Sequence, residues 1–323
     1  MNIFESEGDS RTAEAMRAAH LYYIQNLTMD AIASELTISR SSVSRLIAFA
    51  RDSGLVEIRL HSPVDQPTQL QHQLHDRFGL TAHIVPTGDA VSEIDRLDRV
   101  AMSAARILTD FIDSTMILGV AWGSTIASVS RHLVRKPVRN TQVVQLNGAG
   151  NAHTTGLVYA SEIIGRFGAA FGATVQQFPV PAFFDDPATK EAFWRERSTA
   201  RVLTVQRRMD VAEFGIGSPT AHVPSHVYAG GYLDRADYDD LASANVVGDI
   251  ATIFFRADGS HNDIPLNARS SGPGFTVLIR APRRIAVVSG QAKLAALRGA
   301  VATGVITDLV LDEITAGQLA AMD

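Results

Sequence analysis

Four short stretches of this chain pair glycine with hydroxyl, amide or cationic side chains in patterns suited to holding an anion. They are Gly119-Val120-Ala121-Trp122-Gly123-Ser124-Thr125, Asn147-Gly148-Ala149-Gly150-Asn151, Gly215-Ile216-Gly217-Ser218 and Ser289-Gly290-Gln291-Ala292-Lys293. In the first, glycine lets the backbone turn sharply, and Ser124 and Thr125 head a helix, offering hydroxyls and amide N–H groups. In the last, Lys293 falls in the first turn of a helix. Its charge there opposes the helix dipole, which implies a phosphate or carboxylate nearby. The glycine spacings match neither a Walker loop nor a dinucleotide fingerprint. Singly, each stretch reads as an ordinary strand-to-helix turn. Four together, two of them with anion-binding chemistry, favour a pocket of sugar-phosphate size.

The elements that must position these loops alternate from about residue 81 onward. Strands are expected at 82–86, 116–122, 141–146, 174–178, 210–216, 284–288 and 308–311. Helices are expected at 94–111, from Ser124 to Leu133, 156–171, 187–206, 291–302 and 315–321. That alternation is the signature of a mostly parallel sheet with helices on its faces. Each glycine loop then lies at the C-terminal end of a strand, where such sheets bind ligands. Residues 245–280 are less regular and suit an antiparallel excursion. Trp122 reads as core. His153, His222, His226 and His261 are scattered without paired spacing, so no metal site is expected.

Ahead of the sheet, residues 28–60 follow a different pattern. Thr28 suits a helix N-cap with Asp30 in the first turn, and Ile32, Ala33 and Leu36 recur at helical spacing. After a short break Ser39 can cap a second helix, in which Val43, Leu46, Ile47 and Ala50 face inward. Arg40, Ser41, Ser42, Ser44 and Arg45 are left outward near its start, the end that meets base edges in a major groove. Thr28 and Ser39 join them as candidate DNA contacts. Gly54 can end the helix, and Leu55 to Leu60 alternates as a strand, which suggests a winged helix-turn-helix. Residues 11–60 hold six arginines against five acids. One copy would therefore bind DNA weakly, and a reader of DNA built this way works as a dimer or larger assembly.

Composition narrows the class. The 323 residues carry a net charge of −5 and no cysteine, which excludes disulfides, thiolate metal sites and a cysteine nucleophile. The opening MNIFESEGDS is unlike a secretory signal, and no apolar run reaches the ~18–20 residues that span a bilayer. A cytoplasmic protein is expected. Residues 62–80 open with two prolines, as a linker does, and then place Leu70, Leu74 and Phe78 on one helical stripe. The expected layout is a DNA-binding domain at 1–61, a linker helix at 62–80 and an effector-binding, oligomerising domain at 81–323.

Several of these segments carry a family resemblance. IASELTISRSSVSRLIAFARDSGLVEI, GVAWGSTIASV, VVQLNGAGN, FPVPAFF, FGIGSP, VVGDIATIFFRADG, LNAR, VSGQAKLAALRGAV and ITDLVLDE occur in this order. The chain resembles the SorC-type sugar-binding transcriptional regulators. That resemblance implies a Rossmann-like effector domain akin to the sugar-phosphate isomerase and deaminase fold, with sensing in place of catalysis. It implies a homodimer or homotetramer whose affinity for double-stranded operator DNA changes with a bound sugar or polyol, often phosphorylated.

Carried onto this sequence, the resemblance gives Ser124 and Thr125, after Gly123, contacts to phosphate or hydroxyl groups. Lys293, with the Gly290 and Gln291 backbone, holds the phosphate. Asp249 accepts hydrogen bonds from sugar hydroxyls. Gln145, Asn147, Gly148, Phe183, Gly217 and Ser218 belong to the pocket, with Arg269 near it. Phe184 is adjacent to Phe183, so in an extended segment the two point opposite ways. No catalytic residue and no cofactor is expected. The alternative is an enzyme, a sugar-phosphate isomerase or deaminase with an appended DNA-binding domain, in which Asp249 and His153 serve as acid and base.

Overall fold

The computed structural model describes residues 3–25, 27–56, 68–88, 91–221 and 225–322, and its contacts divide into two units, 1–66 and 67–323. The first unit contains helices α1 (Ile3–Tyr23), α2 (Met29–Leu36) and α3 (Arg40–Asp52). Thr28 caps α2 by accepting the Ala31 amide at 3.2 Å, and Ser39 caps α3 by accepting the Ser42 amide at 3.1 Å. Between them Thr37 takes the left-handed conformation at φ 56°, donating its amide to Ala33. A β-branched residue pays for that geometry, so the three-residue turn is set by the packing of its two helices. Ile32, Val43 and Ile47 close against Ala18 and Leu21 of α1, and Ala50 meets Ala15 and Ala19. Helix α1 was not anticipated from sequence. Its buried stripe is largely alanine, strong in helix propensity but weak as a hydrophobic signal. The wing strand expected at 55–60 falls, from residue 57 on, outside the described residues, as does the start of the linker.

In the second unit α4 (Gln69–Phe78) opens with a capping box between Thr68 and Gln71 and buries Leu74 in the core. Then follow β1 (Thr81–Val85), α5 (Glu93–Phe111), β2 (Ile117–Val120), α6 (Ser124–Arg131), β3 (Gln142–Gln145), α7 (Leu157–Phe171) and β4 (Thr174–Gln176). Next come α8 (Pro187–Arg195), α9 (Arg197–Gln206), β5 (Val211–Gly217), α10 (His226–Ala229) and α11 (Arg235–Ser243). The chain ends with β6 (Val246–Ile250), β7 (Ile253–Arg256), α12 (Pro265–Arg269), α13 (Phe275–Leu278), β8 (Arg283–Val288), a 3-10 turn (Gln291–Lys293), α14 (Leu294–Ala302), β9 (Asp308–Asp312) and α15 (Glu313–Ala321). The helix expected at 187–206 is two, because Glu196 is extended and breaks it. Helices α10 to α13 are short or polar on most faces and gave no clear period.

Seven strands form a parallel sheet in the order β1-β9-β8-β5-β2-β3-β4. Alternate residues feed two cores. Leu118, Val120, Val211, Ile285 and Val287 pack under α5, α6 and α7, while Ala212, Phe214, Ala286 and Val288 pack under α9, α14 and α15. The antiparallel hairpin β6–β7 attaches to the last residues of β5, pairing Ile216 with Ile250 and Gly217 with Asp249. Chain leaving β2 enters α6 on one face of the sheet, and chain leaving β8 enters α14 on the other. Strand β5 lies between them, so a crevice opens above its C-terminal end.

Candidate functional site

That crevice is a cleft of about 420 Å³, counted out to its mouth. It gathers Gly123, Ser124 and Thr125 from the start of α6, Asn147 after β3, Gly217 at the end of β5, Asp249 from β6 and Lys293 before α14. Five sheet and hairpin elements thus meet at one place, although their residues span 170 positions in the chain (123 to 293). A recess beside it shares Ser124, Thr125 and Lys293 and adds Ser289 and Gly290.

Each group is held by its backbone. Gly123, at φ 147°, is the N-cap of α6 and supplies no capping side chain, so the first amides of the helix keep their donors for another acceptor. Asn147 is 1 % exposed, and its carbonyl accepts from Trp122 Nε1 at 3.1 Å and Gln145 Nε2 at 2.7 Å. Its side-chain oxygen has no donor among the described residues. Asp249 sits over Gly217, where any Cβ would collide with its carboxylate. Asp249 Oδ2 accepts the Thr252 amide at 3.1 Å, while Oδ1 has no donor among the described residues. Thr252 and Ala251 both have positive φ, the geometry of a tight hairpin turn without its usual glycines. The Thr252 hydroxyl bonds Ser270 at 2.9 Å, and the strained turn that carries Asp249 is fixed from several sides.

Charge in the cleft is opposed and poorly hydrated. Burial pushes the Asp249 carboxyl up to about 6, against the stabilising Thr252 amide, the neighbouring Tyr228 hydroxyl and the Lys293 ammonium. The Tyr228 hydroxyl lies near that carboxylate without closing a well-aligned hydrogen bond. Burial pushes Lys293 down to about 8, and the Asp249 charge partly restores it. Near neutral pH the cleft therefore presents one cation, one anion and two undonated oxygens, a set that accepts hydroxyl donors and an oxyanion together.

The remaining sequence-derived positions lie elsewhere. Gln145 is a buried brace, donating to the Asn147 carbonyl and accepting the Phe178 amide at 3.1 Å. Gly148 packs its Cα against the Val180 and Pro181 carbonyls and donates its amide to Ser271. Ser218 is turned toward Ser225 and Thr220. Phe183 and Phe184 do point to different cores, and both line a larger, separate cleft of about 2080 Å³, likewise counted out to its mouth. Arg269 opens onto that second cleft, ion-paired with Asp237. His153 lines it too, apart from Asp249. The Gly290 amide is donated to Asp312, the Lys293 amide closes the 3-10 turn on the Gly290 carbonyl, and Gln291 itself is exposed.

The cleft also includes residues that the sequence reading did not assign to it. Trp122 is buried as expected of core, yet it lines the cleft and stacks on Tyr232 with centroids 4.9 Å apart. His226 lies on the same wall, 4.3 Å from the Tyr159 ring, with burial lowering its pKa. No spacing rule links residue 226 to 122; only the fold brings them together. Of the predicted DNA-reading positions, Arg40, Ser41, Ser44 and Arg45 are exposed on α3. Arg40 pairs with Asp30 at 3.4 Å, Arg45 donates to the Ser42 hydroxyl, and Thr28 and Ser39 are engaged as helix caps.

A doubly wound parallel sheet with a polar cleft at its switch point defines a small-molecule-binding α/β domain. The family model described as "Putative sugar-binding domain" matches residues 62–321, and the chain belongs to this family. It is 30% identical over 308 residues to the deoxyribonucleoside regulator of Bacillus subtilis, covering 94% of this chain and 96% of that one. It is 26% identical to the sorbitol operon regulator of Klebsiella pneumoniae over 93% of this chain and 95% of that one. Among solved structures, a domain of a possible sugar-binding transcriptional regulator from Arthrobacter aurescens TC1 shares 53% identity and a TM-score of 0.75, over 81% of this chain and all of that one. The full-length sorbitol operon regulator SorC from Klebsiella pneumoniae superposes with a TM-score of 0.70 at 25% identity, over 96% of this chain and 99% of that one.

Proposed function

We propose that this chain is a cytoplasmic DNA-binding transcriptional regulator controlled by a small carbohydrate, a phosphorylated sugar or polyol. The observation that carries the reading is the cleft above β5. Buried Lys293 and the uncapped start of α6 suit a phosphate, while the undonated oxygens of Asn147 and Asp249 suit sugar hydroxyls. The relatives named as regulators match 94% and 93% of the chain, which takes in α2 and α3. Helix α3, with Arg40, Ser41, Ser44 and Arg45 exposed near its start, is the element that would enter the major groove of operator DNA, with a wing following it. The weak positive charge of this segment suits a homodimer or homotetramer sharing one operator.

The mechanism is linkage. A sugar phosphate that binds one conformation or assembly more tightly shifts the population toward it, and that state presents its recognition helices differently. An isomerase or deaminase would need a positioned base beside the ligand. His153 and Asp249 line different clefts, so that pair is not assembled. The test is a thermal-shift screen of sugar and polyol phosphates, followed by operator gel shifts with any hit. Stabilisation by a phosphorylated compound with a changed operator affinity supports the proposal. Turnover of fructose 6-phosphate or glucosamine 6-phosphate, or stabilisation by none of the compounds, refutes it.

A further inference from the structure

The loop that carries Lys293 is anchored by a residue that does not line the cleft. Asp312, the last residue of β9, is fully buried and accepts four hydrogen bonds. Its Oδ1 takes Arg96 Nη1 at 3.2 Å and the Thr315 amide at 3.0 Å. Its Oδ2 takes the Thr315 hydroxyl at 2.8 Å and the Gly290 amide at 3.0 Å. The Thr315 bonds are those of an ordinary helix cap at the start of α15. The other two come from elsewhere in the fold. Arg96 belongs to α5, is 7 % exposed, and donates a second N–H to the Val91 carbonyl. Gly290 opens the loop three residues before Lys293, at φ 95° and ψ 139°, a conformation that L side chains rarely adopt.

A cap alone needs neither of these partners. A carboxylate with no exposure is costly unless a cation and several donors compensate it, and here Arg96 is that cation. The arrangement ties β9, α5 and α15 to one backbone amide of the loop after β8. That amide leads directly into the Gln291–Lys293 turn.

We propose that Asp312, with Arg96 as its counter-ion, is a positioning residue for anion binding, fixing Gly290 and so the Lys293 side chain in the cleft. The inference rests on the reading of the surroundings of Lys293 as an anion subsite. Asp312 itself touches no ligand.

The experiment uses the full chain and inorganic phosphate as the probe. The double variant Arg96→Met/Asp312→Ser keeps a capping oxygen for α15, is too short to reach Gly290 and strands no buried cation. Arg96→Lys keeps the charge, but its single ammonium cannot reproduce the two-pronged hold of the guanidinium on Asp312 and the Val91 carbonyl. Amide exchange is followed on peptides covering 286–296 with increasing phosphate. In the wild type, phosphate should slow exchange there. In the double variant the loop should exchange faster without phosphate, and phosphate affinity should fall by about ten-fold, the loss expected when a charge-assisted contact is misplaced. Arg96→Lys should lose a smaller part of the affinity, about two-fold, with a smaller rise in loop exchange, and it carries the test if the double variant does not fold. Faster loop exchange with unchanged phosphate affinity, in whichever variant folds, overturns the positioning role alone. No phosphate protection of 286–296 in the wild type overturns the anion-subsite reading, and this inference with it.

Discussion

Glu213 lies in the middle of β5, wholly buried, paired laterally with Val120 of β2 and Ile285 of β8. Neither of its carboxyl oxygens has a hydrogen-bond partner among the described residues. Burial alone pushes its pKa from 4.5 up to about 8, so the side chain is mostly protonated at neutral pH. An acid whose folded pKa lies above its unfolded value binds its proton more tightly when folded. Its stability term is complete below pH 4.5, drains away as pH rises to about 8, and is then constant. At about 1.4 kcal/mol per pH unit, the drain is about 3 kcal/mol by pH 7 and approaches about 5 kcal/mol by pH 9. Glu213→Gln keeps the shape and polarity of the protonated acid and cannot ionise. Its stability relative to wild type should differ by less than about 0.5 kcal/mol at pH 4.5 and exceed it by about 3 kcal/mol at pH 7.

Urea unfolding followed by tryptophan fluorescence measures this cleanly, since both tryptophans, Trp122 and Trp194, belong to the second unit. With a urea slope on the order of 3 kcal/mol/M, the pH 7 midpoint should rise by roughly 1 M. An offset between variant and wild type that is the same at pH 4.5 and pH 9 would refute the reasoning. So would a wild type more stable than the variant at pH 9, which would mean that the ionised carboxylate has a favourable partner.

Further outcomes are expected elsewhere in the chain. Thr37→Gly should raise the stability of the helix-turn-helix by about 0.5–1 kcal/mol, because glycine adopts the left-handed turn without a Cβ clash; the midpoint of the first unit by circular dichroism checks it. Arg45→Ala, at an exposed position on α3, should abolish operator binding in a gel shift while leaving phosphate-induced thermal stabilisation intact; loss of both would indicate misfolding. Affinity for a phosphorylated ligand should be greatest between about pH 6 and 8. Below that window Asp249 gains a proton and loses acceptor capacity, and above it Lys293 loses its charge. A calorimetric titration across pH 5–9 showing flat affinity would remove both residues from the contact set.

Much of this architecture was legible in the sequence because it rests on local rules. The alternation of apolar runs with helical periods announced the parallel sheet, since strands covered on both faces are mostly apolar. Glycine at strand ends marked the loops, because the turns at Gly123 and Gly290 take positive φ values that L side chains rarely adopt. Thr28 and Ser39 marked two helix starts because a short hydroxyl is what an open N-terminus needs. Where local rules were weak the reading failed: the alanine stripe of α1 carries too little apolar area to stand out, and the polar α11 gives no stripe at all.

The tertiary structure alone decided which of the glycine-loop residues converge. Ser124, Thr125, Asn147, Gly217, Asp249 and Lys293 meet because β2, β3, β5 and β8 end at one edge and the β6–β7 hairpin folds back over β5. Gln145 and Gly148, only two residues and one residue from Asn147, are spent on holding its backbone. Phe183 and Arg269, plausible by pattern, open onto another cleft, where their segments meet at a bridge between Phe183 and Ser270. Strand order and hydrogen-bond allocation are non-local quantities, set by which surfaces pack and which buried groups must be satisfied. The four glycine loops proposed an anion pocket; the fold chose its floor, its walls and the buried charges that line it.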